Sequence, residues 1–223
     1  MPVANVIQLR ALLSEKFPGL RQHLNSTSKA QNPRFPIPKN SKPGILNLEL
    51  IKGALMEIVG KNSGSATLLR ELLYRAAKEN QIVALIDGSD SFDVTQIAED
   101  VLSRVLWIRC HQAGDALKAA DLVLRDGNLP LVLLDLKSNS EKELRKIPAT
   151  TWYRFQRLVE ETNAVCVVFT PRQMISSAQK RITVRSHFSI ADLECDTGEL
   201  LHQLEMEISD ERRFEDISEP ATA

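Results

Sequence analysis

Residues 55–67 read LMEIVGKNSGSAT, and this stretch decides the fold. Its first part, Leu55–Val59, is an apolar run of strand length, and the residues from Gly60 to Ala66 are mostly glycine and serine. From Thr67 to Asn80, leucines and alanines recur at helical spacing. A strand, a small-residue loop and a helix in this order are the context in which a phosphate-binding loop occurs.

The alternation of strands and helices continues along the chain. Further apolar strands are predicted at residues 82–86, 105–108, 131–136 and 164–169. Helices are predicted at residues 94–104, 115–126 and 150–163, with Gly127 ending the second of them. Apolar strands separated by helices predict a mostly parallel sheet that is covered on both faces, which is an α/β fold.

The C-terminal part of the chain has a different pattern. Residues 181–190 alternate strictly between apolar and polar side chains, and residues 204–208 alternate in the same way. This pattern predicts antiparallel strands added at the edge of the parallel sheet, with one face in water. Arg181 and Arg185 are predicted on the water-facing side.

The loop departs from a working phosphate-binding loop. In the pattern GxxxxGKS/T, backbone N–H groups cradle the phosphates, the lysine spans the terminal phosphates and the hydroxyl holds Mg²⁺. Matching from Gly60 puts Ser65 at the second glycine, Ala66 at the lysine and Thr67 at the hydroxyl. Losing the lysine alone weakens phosphate binding by roughly 10- to 100-fold. Losing its stabilisation of transition-state charge costs a further factor of about 10² to 10³ in rate.

Lys61 offers one way in which the loop could still bind a nucleotide. It follows Gly60 directly and could bend over the phosphates. The degenerate phosphate-binding loop therefore consists of Gly60, Lys61, Gly64, Ser65 and Thr67. We predict that it is a structural turn without hydrolysis, and the alternative is a loop that still holds phosphate through its backbone N–H groups.

The sequence around this loop resembles the core of bacterial RecA recombinases. Residues 46–50 and 53–60 are similar to the RecA approach to its phosphate-binding loop. Residues 86–93, IDGSDSFD, match the segment where RecA reads IDAEHALD. Residues 131–136 are similar to its Walker B strand, and residues 169–172 fall where RecA has its INQ sensing motif. The resemblance implies a RecA-like P-loop core within the α/β fold.

The positions that carry the RecA reaction are changed inside this matching frame. The resemblance puts Ser89 at the catalytic glutamate and Pro171 at the sensing glutamine, in addition to Ala66 at the lysine. Asp135 matches the Walker B carboxylate, and its alternative role is to cap the end of its strand. We therefore predict a pseudo-ATPase with no catalytic residue, no metal and no ATP cofactor.

Charge is distributed unevenly along the 223 residues, although the net charge is only −1. Residues 1–45 carry seven bases and one acid, whereas residues 194–223 carry ten acids and two bases. Prolines and serines are frequent in residues 25–40. The predicted organisation is an N-terminal helix and flexible basic linker at residues 1–41, a RecA-like domain at 42–209 and an acidic disordered tail at 210–223.

Composition and cysteine spacing narrow the class of protein. The 43% hydrophobic and 26% charged residues are near globular averages. Cys110, Cys166 and Cys195 lie far apart in sequence, which predicts structural thiols and no metal site. The absence of an apolar run of about 18 residues predicts that the chain does not interact with a membrane. We expect a cytoplasmic, nucleoid-associated protein.

Over residues 45–210 the chain resembles the ImuA family of diverged RecA-like proteins. The resemblance rests on the degenerate loop, on Asp135-Leu136 followed by residues 147–158 and 169–171, and on the terminal alternating strands. It implies a non-catalytic adaptor of the bacterial SOS translesion synthesis mutasome. The implied partners are ImuB, an inactive homologue of Y-family polymerases, and RecA.

Two other functions remain open from the sequence. The chain could be a nucleotide-binding P-loop ATPase or switch in DNA repair, using Lys61, Thr67, Asp87 and Asp135. It could also be a cell-division inhibitor similar to SulA, acting on the division GTPase.

Two sets of surface residues are candidates for contacts with partners. Apolar residues of the predicted helix at residues 3–16 would lie in a partner groove, or pack within the chain itself; they are Val6, Leu9 and Leu13. Basic residues near the C-terminal strands would contact the phosphates of DNA, or simply remain solvated; they are Arg172, Lys180, Arg181 and Arg185, with His187 beside them.

Overall fold

The computed structural model describes residues 48–61, 63–95, 97–189, 192 and 197–210. The strands are β1 (Leu55–Val59), β2 (Val83–Asp87), β3 (Val105–Arg109), β4 (Leu131–Asp135), β5 (Val165–Thr170), β6 (Lys180–Arg185) and β7 (Glu205–Asp210). The helices are α1 (Ser63–Lys78), α2 (Glu99–Leu102), α3 (Ala113–Asp126), α4 (Glu141–Leu144), α5 (Ala149–Thr162) and α6 (Thr197–His202). The predicted N-terminal helix, the basic linker and residues 211–223 of the predicted tail lie outside these ranges.

The strands form one seven-stranded sheet in the order β3-β2-β4-β5-β1-β6-β7. Every neighbouring pair is parallel except β6 and β7, which are antiparallel. The predicted fold class is therefore confirmed as an α/β fold with a mostly parallel sheet and an antiparallel edge. Within this edge β6 is antiparallel to β7, as predicted, and it joins the rest of the sheet by lying parallel to β1.

Each face of the sheet carries its own apolar core. Along β4, Leu131 and Leu133 pack into the core beneath α1, and Val132 and Leu134 pack into the core beneath α3 and α5. All five residues of β4 are buried, as in β1 and β2. Burial of alternate side chains on opposite faces explains why these strands are apolar throughout.

The ends of α3 and α5 agree closely with the prediction from helical spacing. Gly127 follows α3 with φ of 68°, and its N–H bonds to the carbonyl of Val123 at 3.3 Å. Asn163 follows α5 with φ of 57°. Both residues adopt the left-handed conformation that commonly ends helices, and glycine adopts it without strain from a Cβ.

The predicted helix at residues 94–104 is much shorter in the structure, where α2 spans four residues. Upstream of it, the carboxylate of Asp93 accepts hydrogen bonds from the N–H of Thr95 at 2.9 Å and from its hydroxyl at 2.8 Å. A side chain that bonds to nearby backbone in this way competes with helix formation. The apolar spacing does not reveal this local competition.

Two of the three cysteines lie in the cores. Cys110 and Cys166 are free and buried, and burial raises the pKa of the Cys166 thiol to about 12. A thiol with that pKa stays neutral and packs as a small apolar group, as predicted. Cys195 lies outside the described residues.

No helix in the described part of the chain is both long and apolar enough to cross a membrane.

A fully buried carboxylate, that of Glu57 on β1, joins β1 to residues that follow β5 and to β6. One of its oxygens accepts hydrogen bonds from the Thr170 hydroxyl at 3.0 Å and from the N–H groups of Met174 and Ile175 at 2.8 and 3.3 Å. The other oxygen accepts a hydrogen bond from Nε of Arg181 at 2.8 Å. Glu57 thus fixes residues 171–179, which carry the chain from β5 across β1 to β6.

This ion pair corrects the placement that alternation predicted for Arg181. The side chain is buried, with 7% of the residue exposed, and its Nη2 also donates to the carbonyl of Ile175 at 2.7 Å. Lys180 is likewise buried at 7%. From Thr183 onward the alternation holds, and Arg185 is exposed. A buried carboxylate is stable only with a partner of opposite charge. Pairing with Glu57 therefore explains why Arg181 is buried.

Replacing Arg181 by methionine is expected to destabilise the fold by about 3–5 kcal/mol, because Glu57 would stay buried without its cation. The matched variant Arg185→Met, on the same strand but exposed, is expected to change stability by less than about 0.5 kcal/mol. Urea unfolding of both variants measures the difference. Equal unfolding midpoints would contradict the role given to the ion pair.

Candidate functional site

The connection from β1 to α1 is much shorter than a phosphate-binding loop. The strand ends at Val59 and the helix begins at Ser63, so only residues 60–62 separate them. The predicted start of the helix at Thr67 was wrong by one turn. Residues 63–67 of the eight-residue motif are therefore helical, and only the first four N–H groups of a helix lack a partner within it.

One of those four N–H groups already has a partner from another part of the chain. The N–H of Gly64 donates to the hydroxyl of Ser186, just after β6, at 3.3 Å. A Cβ placed on Gly64 would lie 2.8 Å from a methyl group of Leu204 and 3.1 Å from the Cβ of Ser186. The N-terminus of α1 is therefore covered by the C-terminal part of the chain, at the place where a phosphate would bind.

The side chains of the motif point to structural roles. The hydroxyl of Ser65, which is 1% exposed, donates to the carbonyl of Gly60 at 3.2 Å. Ala66 is exposed and Thr67 is half-buried. Lys61, 62% exposed at its side chain, lies 3.6 Å from Glu141. Lys61 is thus paired with a carboxylate in the structure.

The carboxylate of Asp135, at the Walker B position, is also bound by groups of the chain itself. Asp135 ends β4 with 2% exposure, and its Oδ1 accepts a hydrogen bond from the N–H of Lys137 at 3.1 Å. The ammonium group of Lys137 contacts the other carboxylate oxygen. Asp135 therefore caps the turn after β4, which is the alternative role considered for it, and a lysine balances its charge.

Asp87, at the end of β2, organises the loop that contains Ser89. Its carboxylate accepts hydrogen bonds from the N–H groups of Ser89 at 3.3 Å, Ser91 at 3.0 Å and Phe92 at 2.8 Å. Ser89 donates its hydroxyl to Ser91 at 3.0 Å. These bonds occupy the carboxylate that a nucleotide-dependent switch would need to use.

Asp90 closes the same loop against β3. It accepts two hydrogen bonds from Arg109, at 2.6 and 2.8 Å, and these bonds hold the pKa of Asp90 below its ordinary value. A paired guanidinium and carboxylate of this geometry is a strong charge-assisted contact. Asp87 and Asp90 therefore both hold the loop after β2 in place.

The carboxyl ends of the strands are closed by further hydrogen bonds. The N–H of Gly60 donates to Thr170 at 2.9 Å, and the N–H of Gly88 donates to Asp135 at 2.9 Å. The amide of Asn139 donates to the carbonyl of Gly88 at 2.8 Å. Pro171, at the position of the RecA glutamine, is buried. In α/β sheets a ligand usually binds at the carboxyl ends of the strands. Here the chain's own loops fill that edge of the sheet.

The predicted DNA-contacting residues do not form one surface. Lys180 and Arg181 are buried within β6, whereas Arg172 and Arg185 follow and end strands at the carboxyl edge of the sheet. Arg185 lies opposite Glu205 of β7 in the strand register. Buried β6 residues cannot reach a phosphate backbone, so the DNA contact predicted for Lys180 and Arg181 was wrong.

The basic residues around α4 were not predicted as part of a site. Lys142, Arg145 and Lys146 are exposed, and Arg145 pairs with Glu141, which also lies near Lys61 and Arg172. The run of residues 141–146, EKELRK, was the available signal. Its mixed charges resemble an ordinary solvated helix, and only the fold brings it beside the other loops.

In the described part of the chain, no group of three or more His, Cys, Asp or Glu residues is placed to hold a metal.

Comparison with known proteins gives a likeness to solved structures. No protein-family model matches the sequence. No curated protein sequence matches it. The crystal structure of the RadB recombinase is similar, with 13% sequence identity and a TM-score of 0.49 over 63% of this chain and 78% of that chain. This likeness concerns the fold, and the proposed relation to the ImuA family rests on the sequence motifs.

Two glycines offer a matched test of how tightly the carboxyl edge is closed. A Cβ on Gly88 would lie 2.5 Å from Oδ1 of Asn139 and 2.7 Å from the carbonyl of Asp135, whereas a Cβ on Gly114 would meet nothing within 4 Å. We expect Gly88→Ala to destabilise the protein by about 1–3 kcal/mol. Gly114→Ala is expected to stabilise it by about 0.4–1 kcal/mol. Thermal unfolding compares them, and a neutral Gly88→Ala would argue against a closed edge.

Proposed function

We propose that this chain is a non-catalytic RecA-like adaptor in bacterial DNA damage tolerance, acting through protein–protein contacts in the SOS translesion synthesis mutasome. The observation that carries the non-catalytic part is the bond from the Gly64 N–H to Ser186, beside a connection of only three residues. The damage-tolerance part is supported by the resemblance of the sequence to the ImuA family. The protein would act in the cytoplasm, in association with the nucleoid.

Binding a triphosphate would require several existing contacts to break. The first turn of α1 would have to unwind, and Ser186 and Leu204 would have to leave the helix N-terminus. A bound magnesium ion would compete with Lys137 for Asp135. Each lost buried hydrogen bond costs about 0.5–1.5 kcal/mol or more, and Ala66, at the lysine position of the motif, offers no charge in return. These costs support a site that works without nucleotide.

Calorimetry with ATP and Mg²⁺ tests this part of the proposal. We expect no binding to the unmodified protein and no hydrolysis. We also expect none for Ala66→Lys, because restoring the lysine does not reopen the helix N-terminus. ATP binding with turnover that Lys61→Ala abolishes would overturn the proposal in favour of an active P-loop protein.

The proposed partners are an ImuB-like inactive polymerase homologue and RecA. We infer that the apolar side of the predicted N-terminal helix, formed by Val6, Leu9 and Leu13, contacts a partner. These residues lie outside the described part of the chain, so their contact is proposed from their spacing alone. An amphipathic helix that lies in a groove uses residues spaced three and four apart.

A pull-down with ImuB tests the partner. We expect the unmodified protein to capture ImuB, and Leu9→Asp with Leu13→Asp to abolish capture, because two charges would enter the apolar contact. Gln8→Asp with Ala11→Asp adds the same charges on the opposite side of the predicted helix and should leave capture intact. Capture of the division GTPase instead of ImuB would argue for a cell-division inhibitor.

A further inference from the structure

The sheet ends at β7, and no other described strand pairs with the outer edge of β7. This strand pairs with β6 on its inner side and is the last in the order of the sheet. A terminal strand presents a row of unpaired backbone N–H and C=O groups on its outer side, which can pair with one more strand. The edge at β7 is therefore a place where another extended segment can join the sheet.

One face of β7 is acidic. Glu205 and Glu207 are both exposed on this face. Glu205 lies opposite Arg185 in the strand register and 3.9 Å from His187. Glu207 lies opposite Thr183, and its side chain makes no hydrogen bond or ion pair with the described residues. A basic segment would supply the charge that Glu207 lacks.

The other face of β7 continues the apolar core beneath α1. Met206 packs against that core. Ile208 lies opposite the buried Ile182, but it is itself 46% exposed. Opposed apolar side chains on neighbouring strands stabilise a sheet. A segment that fits this edge therefore has apolar side chains on one face and a base on the other.

The side chains of residues 34–39, RFPIPK, have this arrangement. Phe35 and Ile37 are two residues apart, so they lie on the same face of an extended strand. Arg34 lies on the opposite face, and Lys39 follows at the end of the segment. These residues belong to the predicted basic linker and lie outside the described part of the chain.

The prolines of this segment fit the outermost position of a sheet. Pro36 and Pro38 are also two residues apart, so both lack an N–H on the same side of an extended strand. The N–H groups of Phe35 and Ile37 lie together on the other side, where they can bond to β7. Prolines in sheets are confined to edge strands for this reason, and they also stop a further strand from pairing.

The chain is long enough for this segment to reach β7. Leu48, the first described residue, is held by Arg75 in the last turn of α1, and it shares a core with Leu131 of β4. Lys39 lies nine residues before Leu48. Nine extended residues span roughly 30 Å. Five strand spacings, from β4 to a position beyond β7, amount to about 24 Å.

Two other pairings fit less well. The opposite edge strand, β3, reads VLWIR and offers a basic segment an arginine and no acid. Pairing of β7 with β7 of a second copy would bring the glutamates of the two copies together, and like charges on neighbouring strands destabilise a sheet. A basic segment of the same chain at β7 meets neither objection.

We propose that residues 34–39 pair with the outer edge of β7 as an eighth strand of the sheet. Phe35 and Ile37 lie beside Ile208, and Arg34 lies on the face of Glu205 and Glu207. The proposal goes beyond the adaptor function, because it assigns a docking site on the core to the linker that carries the predicted N-terminal helix.

Hydrogen–deuterium exchange of the full-length protein, followed by mass spectrometry, tests this pairing. Peptides containing residues 34–39 should exchange at least about tenfold more slowly than peptides from residues 21–32, because amides bonded to a strand are protected. Ile37→Pro removes an N–H that faces β7, so it should abolish this protection and speed the exchange of residues 205–210. Ile37→Val keeps that N–H and should leave both unchanged.

The charges give a second comparison. Arg34→Glu places an acid near Glu205 and Glu207 and should reduce the protection of residues 34–39 by at least about threefold. Adding Glu205→Lys with Glu207→Lys to the same chain should restore it. The matched variant Arg21→Glu makes the same charge change outside the segment and should leave the protection as it is.

Three results would contradict the proposal. The first is rapid exchange of residues 34–39 in the unmodified protein. The second is protection that rises with protein concentration, since the segment would then pair with another copy. The third is an effect of Ile37→Pro on residues 105–109 instead of 205–210, which would place the segment at β3. None of these results bears on ATP binding or on capture of ImuB, so those tests and this one fail independently.

Discussion

On β1, the buried carboxylate of Glu57 accepts hydrogen bonds from the Thr170 hydroxyl, from two N–H groups within the β5–β6 crossing and from the guanidinium of Arg181. An isolated charge in a protein interior costs several kcal/mol, so these partners have to be present for the fold to be stable. Because they lie on β5, on the crossing segment and on β6, satisfying Glu57 places β6 beside β1. The order of the strands on this side of the sheet depends on that contact.

The position of β6 determines whether the N-terminus of α1, just after β1, is covered. Once β6 lies beside β1, Ser186 and Leu204 come over the N-terminus of α1, where the Gly64 N–H meets the Ser186 hydroxyl. At the neighbouring strand ends, Lys137 and the N–H groups after Asp87 take the carboxylates. The chain thus supplies from its own residues the partners that a nucleotide and its metal supply in a working P-loop protein.

Much of the fold was predictable, because β1, β2, β4 and β5 are buried on both faces and their residues are apolar throughout. Sequence spacing also placed Gly127 at the end of α3, since a left-handed residue there favours glycine. The burial of Arg181 was not predictable, because its partner Glu57 lies 124 residues away. The early start of α1 depends on residues after β6, and the surface around Glu141 depends on loops that only the folded sheet brings together. The sequence predicted that the phosphate-binding motif lacks its catalytic side chains. It did not predict which residues of the chain fill the site instead.

The contact between Lys137 and Asp135 has a consequence for how such a protein is controlled. A site that is filled by exchangeable nucleotide has a loaded and an empty form, and the switch between them sets the timing of the protein's action. Lys137 belongs to the same chain as Asp135, so this carboxylate is balanced without an exchangeable ligand. For the proposed adaptor, the timing of its action would then follow from its synthesis and its degradation, and its local concentration would act as the signal.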